Sequence, residues 1–144
     1  MTAFRLTAPE PPERELQATV AAALDALVCP PAIWFSAAIG ATKLTAQQAA
    51  ALSRAGVKRG LPDILVIAPP AGRLYGIELK LRKGTLSKTR VVLTRRGSPR
   101  ILEGQEEVFA RLEAAGMEIA IARSVDEVLD QLRRWGIPLR GRVC

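Results

Sequence analysis

Residues 62–80 read PDILVIAPPAGRLYGIELK, and they predict the centre of the β-sheet. Its two apolar runs, 62–68 and 74–80, are short and rich in Ile, Leu and Val, and a segment with Pro and Gly separates them. Short runs of this composition, bounded by turn-forming residues, are typical of β-strands. The stretch therefore predicts two buried strands joined by a turn at 69–73.

Three charged side chains interrupt these strands. Asp63 begins the first strand, and Glu78 and Lys80 lie at the end of the second. Because side chains alternate along a strand, Glu78 and Lys80 share a face with Gly76, and the apolar residues between them point into the core. A glycine at this place would leave room for a phosphate group. Charges in such apolar surroundings are costly unless they meet each other or a metal ion.

These charges favour a site for a hard cation. Two nearby carboxylates repel each other unless a cation lies between them, and Mg²⁺ or Mn²⁺ prefers oxygen ligands. Such an ion can polarise a phosphate and lower the pKa of a bound water. Lys80 would then hold the attacking water or offset negative charge on the phosphate. The alternative is a hairpin with ordinary solvated charges, because the spacing of Asp63, Glu78 and Lys80 also arises by chance.

The length and composition narrow the possible classes of protein. A chain of 144 residues fits one domain with a hydrophobic core. The sequence contains no histidine, which excludes Ser-His-Asp and Cys-His catalysis, zinc hydrolase sites built on His, and nucleases with a His general base. If the protein is an enzyme, carboxylates and lysine must carry its chemistry.

Cysteine usage and hydropathy bear on the compartment. Cys29 and Cys144 are the two cysteines of the sequence. Two cysteines so far apart predict neither a disulfide framework nor a zinc site, and they suit a reducing cytoplasm. No apolar run approaches the ~20 residues that a transmembrane helix requires, and the first residues lack the apolar segment of a signal peptide. We therefore expect a cytoplasmic protein.

Positive charge is concentrated in one segment. The net charge is +7, and residues 80–100 contain eight Lys or Arg side chains and no acidic one. The rest of the chain is almost neutral. One basic segment on a neutral body is typical of a surface that binds a polyanion such as DNA. The alternative is a solvated basic loop that keeps the protein soluble.

The remaining sequence predicts an α/β fold around the two strands. We expect helices at about 13–28, 45–54, 103–115 and 124–135, and further strands at 32–36 and 118–122. A helix between two strands indicates a parallel pair within a mixed β-sheet that has helices on both faces. Residues 84–102 are interpreted as a basic insert that holds an extra hairpin. The domain then spans 13–138, with a flexible arm at 1–12 and a tail at 139–144.

Two polar residues on predicted helices are further site candidates. Gln105 lies at helical spacing from Val108 and Leu112, so it projects from the apolar face of its helix toward the sheet. It would contact the lysine, the water or the scissile phosphate; the alternative is a helix-start residue that meets solvent. Glu15 borders the apolar stripe of the first helix and would be an outer metal ligand, or else a first-turn acid favoured by the helix dipole. Glu13, two positions earlier, is a weaker candidate for this metal ligand than Glu15.

Six motifs in a fixed order resemble one nuclease family. They are Gly60-x-Pro62-Asp63, Ile77-Glu78-Leu79-Lys80, Gly84-x-Leu86-Ser87, Gln105 within a helix, Leu112-x-x-x-Gly116 and Ala122-Arg123-Ser124-x-x-Glu127. The first two resemble the PD-(D/E)xK nuclease superfamily, and the whole set resembles its VRR-NUC family over roughly residues 13–136. The family usually has Gln soon after the Leu-Ser pair, and here the basic stretch 88–104 intervenes like an insertion.

The resemblance implies a restriction-endonuclease-like fold and cleavage of DNA that depends on Mg²⁺ or Mn²⁺. The site residues that it implies are the catalytic set Asp63, Glu78, Lys80, Gln105 and Glu15, with Asp63, Glu78, Glu15 and the backbone carbonyl of Leu79 as metal ligands. Small stand-alone members resemble phage and bacterial junction nucleases that act as homodimers. We therefore expect a homodimer in a bacterial cell or a phage-infected host.

The combined expectation is an endodeoxyribonuclease that hydrolyses phosphodiester bonds in branched DNA such as four-way (Holliday) junctions. We expect no membrane partner and no organic small-molecule cofactor. The residues that would contact the DNA backbone are Arg82, Lys83, Lys88, Arg90, Arg95, Arg96 and Arg100. The alternatives are a catalytically silent DNA-binding module with the same fold and a dimerisation module whose basic face meets an acidic protein.

Overall fold

The computed structural model describes residues 13–37, 45–58, 60–102 and 104–141. The elements in chain order are α1 (Glu13–Leu27), β1 (Ile33–Ser36), α2 (Ala46–Arg54), β2 (Ile64–Ala68), β3 (Arg73–Leu79), β4 (Arg90–Leu93), β5 (Pro99–Leu102), α3 (Gln105–Ala114), β6 (Glu118–Ala122) and α4 (Val125–Arg134). The predicted arm at 1–12 lies outside the described residues. The elements confirm an α/β protein, and their bounds fall within two residues of the predicted ones.

The main sheet has four strands in the order β1-β2-β3-β6. β2 and β3 form the expected antiparallel hairpin, in which Ile64 lies opposite Ile77, and β1 pairs with the other edge of β2. β6 pairs with β3 in parallel, and the chain between them includes α3. The mixed sheet is therefore confirmed, and β3, which carries Glu78, has a strand on each side.

The main core lies on one face of this sheet, where α1 and α4 pack. Its most deeply buried side chains are Val20, Leu24, Ile64, Val66, Ile77, Leu79, Val128 and Leu132. Burial of one such side chain contributes roughly 1.5–3 kcal/mol to folding, before the entropy cost. Because Ile77 and Leu79 point into this core, Glu78 between them points to the opposite face.

Local sequence fixes where the helices begin. α1 has acidic residues in its first turn, which suit the positive end of the helix dipole. The Thr45 hydroxyl accepts a hydrogen bond from the Gln48 backbone N–H at the start of α2, and the Gln48 side chain accepts one from the Thr45 N–H. Ser124 caps α4 by accepting a hydrogen bond from the Glu127 N–H. None of the helices in the described ranges is long and apolar enough to cross a membrane.

The opposite face of the sheet is partly covered by α3, which packs against β6. Val108 and Phe109 of α3 are buried, and Met117 and Pro62 pack against Gly76. A Cβ atom at Gly76 would lie 2.6 Å from Cε of Met117, so this glycine makes room for protein side chains. The expectation that Gly76 leaves space for a phosphate is therefore wrong.

The basic insert contains a second, smaller sheet. β4 and β5 form an antiparallel hairpin in which Val91 lies opposite Ile101, and this two-stranded sheet is separate from the main one. The turn between them is closed by a hydrogen bond from the Thr94 N–H to the Ser98 carbonyl. The extra hairpin predicted within 84–102 is therefore confirmed.

The segment after α4 packs onto the body of the protein. Ile137 is buried, and Leu139 packs against the main core and forms an antiparallel bridge with Val28. The Arg140 N–H donates a hydrogen bond to the Leu27 carbonyl at 2.7 Å. The domain therefore extends beyond its predicted end at residue 138, at least as far as Arg140.

Cys29 differs from its expected state. It is buried just after the end of α1 and is disulfide-bonded, so it is not a free thiol. The other cysteine of the sequence, Cys144, lies outside the described residues. The expectation of a reduced cysteine therefore does not hold at Cys29, because a disulfide depends on distances in the folded chain that sequence spacing does not reveal.

Candidate active site

Asp63 lies directly before β2 and is fixed by backbone contacts on two sides. Its carbonyl accepts hydrogen bonds from the Ala37 N–H and from the Ser36 hydroxyl, which connect it to the end of β1. Its carboxylate oxygen Oδ2 accepts a hydrogen bond from the Leu79 N–H at 2.9 Å, across the hairpin. The side chain is therefore held beside the end of β3, next to Glu78.

Glu78 is a buried carboxylate, with 2% of its surface exposed. Its Oε1 atom accepts hydrogen bonds from Lys80 Nζ at 2.9 Å and from Gln105 Nε2 at 2.7 Å. Its Oε2 atom is also buried and has no hydrogen-bond partner among the described residues. Leaving even a neutral buried polar group unpaired costs about 1–3 kcal/mol, and a charged group costs more. The Oε2 atom is therefore available to a cation or donor that the described residues do not supply.

The surroundings raise the pKa of Asp63 to about 6. Burial is the largest cause, because it disfavours the charged carboxylate, and the negative charge of Glu78 is the second. The Leu79 N–H and the Lys80 ammonium lower the pKa, but they do not offset the first two causes. A divalent cation between the two carboxylates would remove their repulsion and favour the charged form of both.

The acidic residue that α1 brings to the site is Glu13. Its negative charge contributes to the raised pKa of Asp63. It shares a helix face with Gln17, whose amide Nε2 donates a hydrogen bond to the Ser36 hydroxyl, which in turn contacts Asp63. Glu13 and Glu15 are both exposed on α1. The electrostatic effect on Asp63 comes from Glu13, and the role of Glu15 as a metal ligand stays a prediction.

Gln105 is positioned by the junction between the basic insert and α3. Its N–H donates to the Ser87 hydroxyl at 3.0 Å, and the Gly104 N–H donates to the Thr89 hydroxyl at 3.0 Å. These hydrogen bonds satisfy two of the free N–H groups at the start of α3. The Thr89 hydroxyl in turn donates to a carboxylate oxygen of Glu107 at 2.6 Å. The start of α3 is therefore held in place, and the Gln105 amide reaches the buried carboxylate from it.

Gly104 permits the close approach at this junction. A Cβ atom at this position would lie 2.3–2.5 Å from backbone atoms of Ser87, Lys88 and Thr89. Any larger residue would push the insert away from α3. This role has no local signal in the sequence, because it depends on a segment more than a dozen residues earlier in the chain.

Arg123 holds the loop that follows β3. Its guanidinium Nη1 donates hydrogen bonds to the backbone carbonyls of Leu81 and Gly84. Charged donors make the stronger hydrogen bonds, so this contact fixes the path of the chain directly after Lys80. The signal available in the sequence is the place of Arg123 directly after β6, the parallel partner of β3.

The residues predicted to contact DNA remain accessible. The exposed set is Arg82, Lys83, Lys88, Arg90, Arg95, Arg96 and Arg100. They lie on the chain between Lys80 and Gln105, both of which contact Glu78. The structure thus brings Asp63, Glu78, Lys80 and Gln105 together. The predicted DNA-binding segment begins and ends beside these residues.

The arrangement fits a hard divalent cation with few protein ligands. Asp63 and Glu78 supply carboxylate oxygens, and the Leu79 backbone lies against Asp63. Within the described ranges, no three acidic or cysteine side chains come close enough together to hold a metal ion. Mg²⁺ usually binds through one or two carboxylates and keeps waters or phosphate oxygens as its other ligands. The two carboxylates could therefore serve Mg²⁺ or Mn²⁺, whereas an enclosed structural zinc ion requires four protein ligands.

Comparison with known proteins gives no family assignment. The chain matches no protein-family model, no curated protein and no solved structure. The resemblance to the VRR-NUC family rests on short motifs and stays a prediction. The geometry and chemistry of the site therefore carry the functional inference.

Proposed function

We propose that the protein is a metal-dependent endodeoxyribonuclease with a restriction-endonuclease-like fold, similar to the VRR-NUC family. The observation that carries the proposal is the carboxylate pair: Asp63 has a pKa raised to about 6, and Glu78 buries an oxygen atom without a partner. For stability alone, well-packed apolar residues would serve as well or better at these positions. A site that holds a divalent cation accounts for both features.

Asp63, Glu78 and the Leu79 backbone carbonyl are the proposed ligands of Mg²⁺ or Mn²⁺. When bound, the ion supplies Lewis-acid chemistry, because it polarises the phosphate and lowers the pKa of water. Asp63 is presented to the ion by its hydrogen bond from the Leu79 N–H. The negative charge of Glu13 adds to the attraction for a cation from the side of α1.

Lys80 and Gln105 orient the site in this proposal. Both donate to the same oxygen of Glu78, which leaves the other oxygen for the cation. The Lys80 ammonium has two further N–H groups, with which it holds the attacking water or offsets the charge that develops on the phosphate. The Lys80 side chain is 15% exposed, so it is not closed off from solvent and substrate.

The proposed substrate is branched DNA, bound through the basic segment 80–100. Its exposed cations would contact phosphates, and each contact adds to the salt dependence of binding. The sequence contains few aromatic residues, which favours selection by shape and charge over readout of bases. Two cuts across a four-way junction need two active sites, so a homodimer is the proposed assembly.

One observation favours a second candidate function. In the part of the chain that the structure describes, no third acidic side chain completes a metal-binding group with Asp63 and Glu78. A reduced ligand set of this kind is also what a catalytically silent DNA-binding module would retain. Such a module would bind DNA without metal and would not cut it.

The test is cleavage of an end-labelled four-way junction beside a matched linear duplex, with Mg²⁺, Mn²⁺ or EDTA. The variant Glu78→Gln keeps the shape of the buried side chain, and Glu113→Gln, at an exposed acid of α3, is the matched control. Metal-dependent cuts at the junction that vanish in Glu78→Gln and persist in Glu113→Gln support the nuclease. Tight binding without cuts under any metal supports the silent module. Equal cutting by wild type and Glu78→Gln would contradict the site.

A further inference from the structure

The hairpin of β4 and β5 has one apolar face that is open to solvent. Val91, Leu93 and Ile101 are 65%, 74% and 71% exposed. The register places Val91 opposite Ile101 and Leu93 opposite Pro99. All four side chains therefore share one face of the hairpin. A contiguous exposed apolar surface with a polar surround marks an interaction site in soluble proteins.

The same hairpin carries a concentration of positive charge. Arg90 and Arg100 are exposed and lie on the other face of the ribbon. Arg95 and Arg96 are exposed in its turn. Residues 80–102 contain no acidic residue. The hairpin thus combines an apolar face with arginines on the other face and in the turn. Such a surface suits a partner that presents flat apolar groups flanked by negative charges.

Nucleic acid has this chemistry, and a second copy of the hairpin does not. A two-fold contact through the apolar faces would place two strongly positive segments side by side, and residues 80–102 of the second copy offer no acidic residue to pair with the arginines. DNA instead offers phosphates to the arginines and base faces to the apolar side chains. Base faces are exposed where stacking is interrupted, as at branch points, and apolar side chains insert at such steps.

The hairpin is also anchored beside the candidate active site. Its base is joined to the start of α3 by the hydrogen bonds of Ser87 and Thr89. Gln105, at that same helix start, donates to Glu78. On the other side, the chain enters the insert directly after Lys80. DNA bound by the hairpin would therefore lie close to the site.

We propose that Val91, Leu93 and Ile101 form a wedge that contacts unstacked bases of the DNA substrate, while the arginines of the hairpin bind the flanking phosphates. This rests on the proposed function for the identity of the substrate, and it adds how the substrate is recognised. Apolar side chains such as Leu and Ile act in this way in proteins that kink DNA. In an intact duplex the bases stay stacked, so the arginines of the hairpin contact its phosphates and the apolar side chains contact no base. The hairpin thus selects interrupted stacking and not sequence.

The experiment measures binding without cleavage. A four-way junction that carries 2-aminopurine next to its branch point is titrated in EDTA, beside the matched linear duplex, and 2-aminopurine becomes brighter when its base unstacks. The wedge variant combines Leu93→Ser and Ile101→Ser. The matched control combines Ile33→Ser and Ile67→Ser, a second exposed apolar pair that lies on β1 and β2. Circular dichroism verifies that both variants fold.

The wild type is expected to bind the junction more tightly than the duplex and to raise the fluorescence. In the wedge variant the fluorescence rise should be lost and junction affinity should fall about tenfold, because two aliphatic side chains are no longer buried against bases. Duplex affinity should change less than about twofold, because the phosphate contacts remain. The control variant should match the wild type. A wedge variant that keeps both the rise and the junction preference would overturn the proposal.

Two other results would also overturn it. If wild type binds vesicles of anionic phospholipid and the wedge variant does not, while junction binding is equal, the apolar face belongs to a membrane. If the wedge variant instead changes the oligomeric state in sedimentation, the face belongs to a second copy. Nuclease activity is tested separately. If the wedge variant loses the junction preference while the wild type cuts DNA with none of the metals, the wedge is supported and the proposed nuclease activity is rejected.

Discussion

The candidate active site and the hairpin of β4 and β5 both carry charge, but they hold it in opposite ways. At the site the charges are few, buried and paired, as Glu78 is with Lys80 and Gln105. On the hairpin the charges are many, exposed and of one sign, and they lie beside exposed apolar side chains such as Leu93. The first arrangement fixes the positions of a few atoms, and the second attracts an extended polyanion.

Substitutions should therefore have different signatures in the two regions. A change at the site should alter the free energy of unfolding, its pH dependence and turnover. A change on the hairpin should alter DNA affinity and its salt dependence, and should leave stability nearly unchanged.

The largest effect is expected when the buried ion pair is broken. Lys80→Met leaves the carboxylate of Glu78 with one donor, and loss of one partner from a buried pair typically costs roughly 3–5 kcal/mol. We expect about 3 kcal/mol, because Gln105 still donates. Urea unfolding near neutral pH measures the loss. Lys83→Met, at an exposed neighbour, should stay within about 0.5 kcal/mol. Similar losses in both variants would show that the Lys80 ammonium stabilises the protein no more than an exposed lysine does.

The second effect is a pH dependence of stability that comes from Asp63. Its folded pKa of about 6 lies above the ordinary value of 3.8, so the stabilisation is full below about pH 4 and is lost as the pH rises through 6. Asp63→Asn does not titrate. Without metal, its stability relative to wild type should therefore rise by about 2 kcal/mol between about pH 4 and pH 8.

The matched control for this pH dependence is Asp130→Asn, at an exposed acid of α4. Its effect on the free energy of unfolding should be smaller than that of Asp63→Asn, because an exposed ion pair such as Asp130 with Arg133 contributes about 1 kcal/mol at most. The measurement is urea unfolding at several pH values in EDTA. A rise in Asp130→Asn as large as that in Asp63→Asn would show that the surroundings of Asp63 are not special.

The third effect concerns the contact between the basic insert and the start of α3, which connects the hairpin to the candidate active site. Gly104→Ala would place a methyl group against the backbone of Ser87 and Thr89, and it should destabilise the protein by about 1–3 kcal/mol. Ser87→Ala removes one hydrogen bond to the start of α3 without a clash, and should cost about 1 kcal/mol. Urea unfolding compares them. A Gly104→Ala variant as stable as wild type would show that the insert does not approach α3 so closely.

The smallest effect on stability should come from the hairpin arginines. Arg95→Ala combined with Arg96→Ala should stay within about 0.5 kcal/mol of wild type in unfolding. The slope of log affinity for DNA against log salt should become less steep by about 2, for junction and duplex alike. Arg133→Ala combined with Arg134→Ala, an exposed pair on α4, should leave the slope unchanged. If only the α4 pair changes the slope, the DNA surface lies elsewhere.

Local patterns were sufficient for most of the fold. Alternation along 74–80 predicted that Ile77 and Leu79 lie in the core and Glu78 on the opposite face, because successive side chains of a strand point to opposite faces. The apolar spacing in α3 likewise indicated that Gln105 faces the sheet, where it contacts Glu78. Turn-forming residues in the insert indicated its hairpin, although not its exposed apolar face.

The rest depends on contacts between distant segments. Gly104 faces a backbone segment that local pattern does not reveal, and Arg123 reaches the loop after β3 from β6. The electrostatic effect of Glu13 on Asp63 could have been predicted, because Glu13 lies at helical spacing from the buried residues Val20 and Leu24. No pattern in the sequence predicted the disulfide of Cys29.

Asp63 and Glu78 are proposed to form a divalent metal centre, and a calorimetric measurement of Mn²⁺ binding is the direct test of this claim. Calorimetric titration of metal-free wild type should give one Mn²⁺ per chain, with affinity that falls as the pH is lowered through about 6 and Asp63 takes up a proton. Glu78→Gln should bind Mn²⁺ at least about tenfold more weakly. Equal Mn²⁺ binding by wild type and Glu78→Gln, or no binding by either, would contradict the claim.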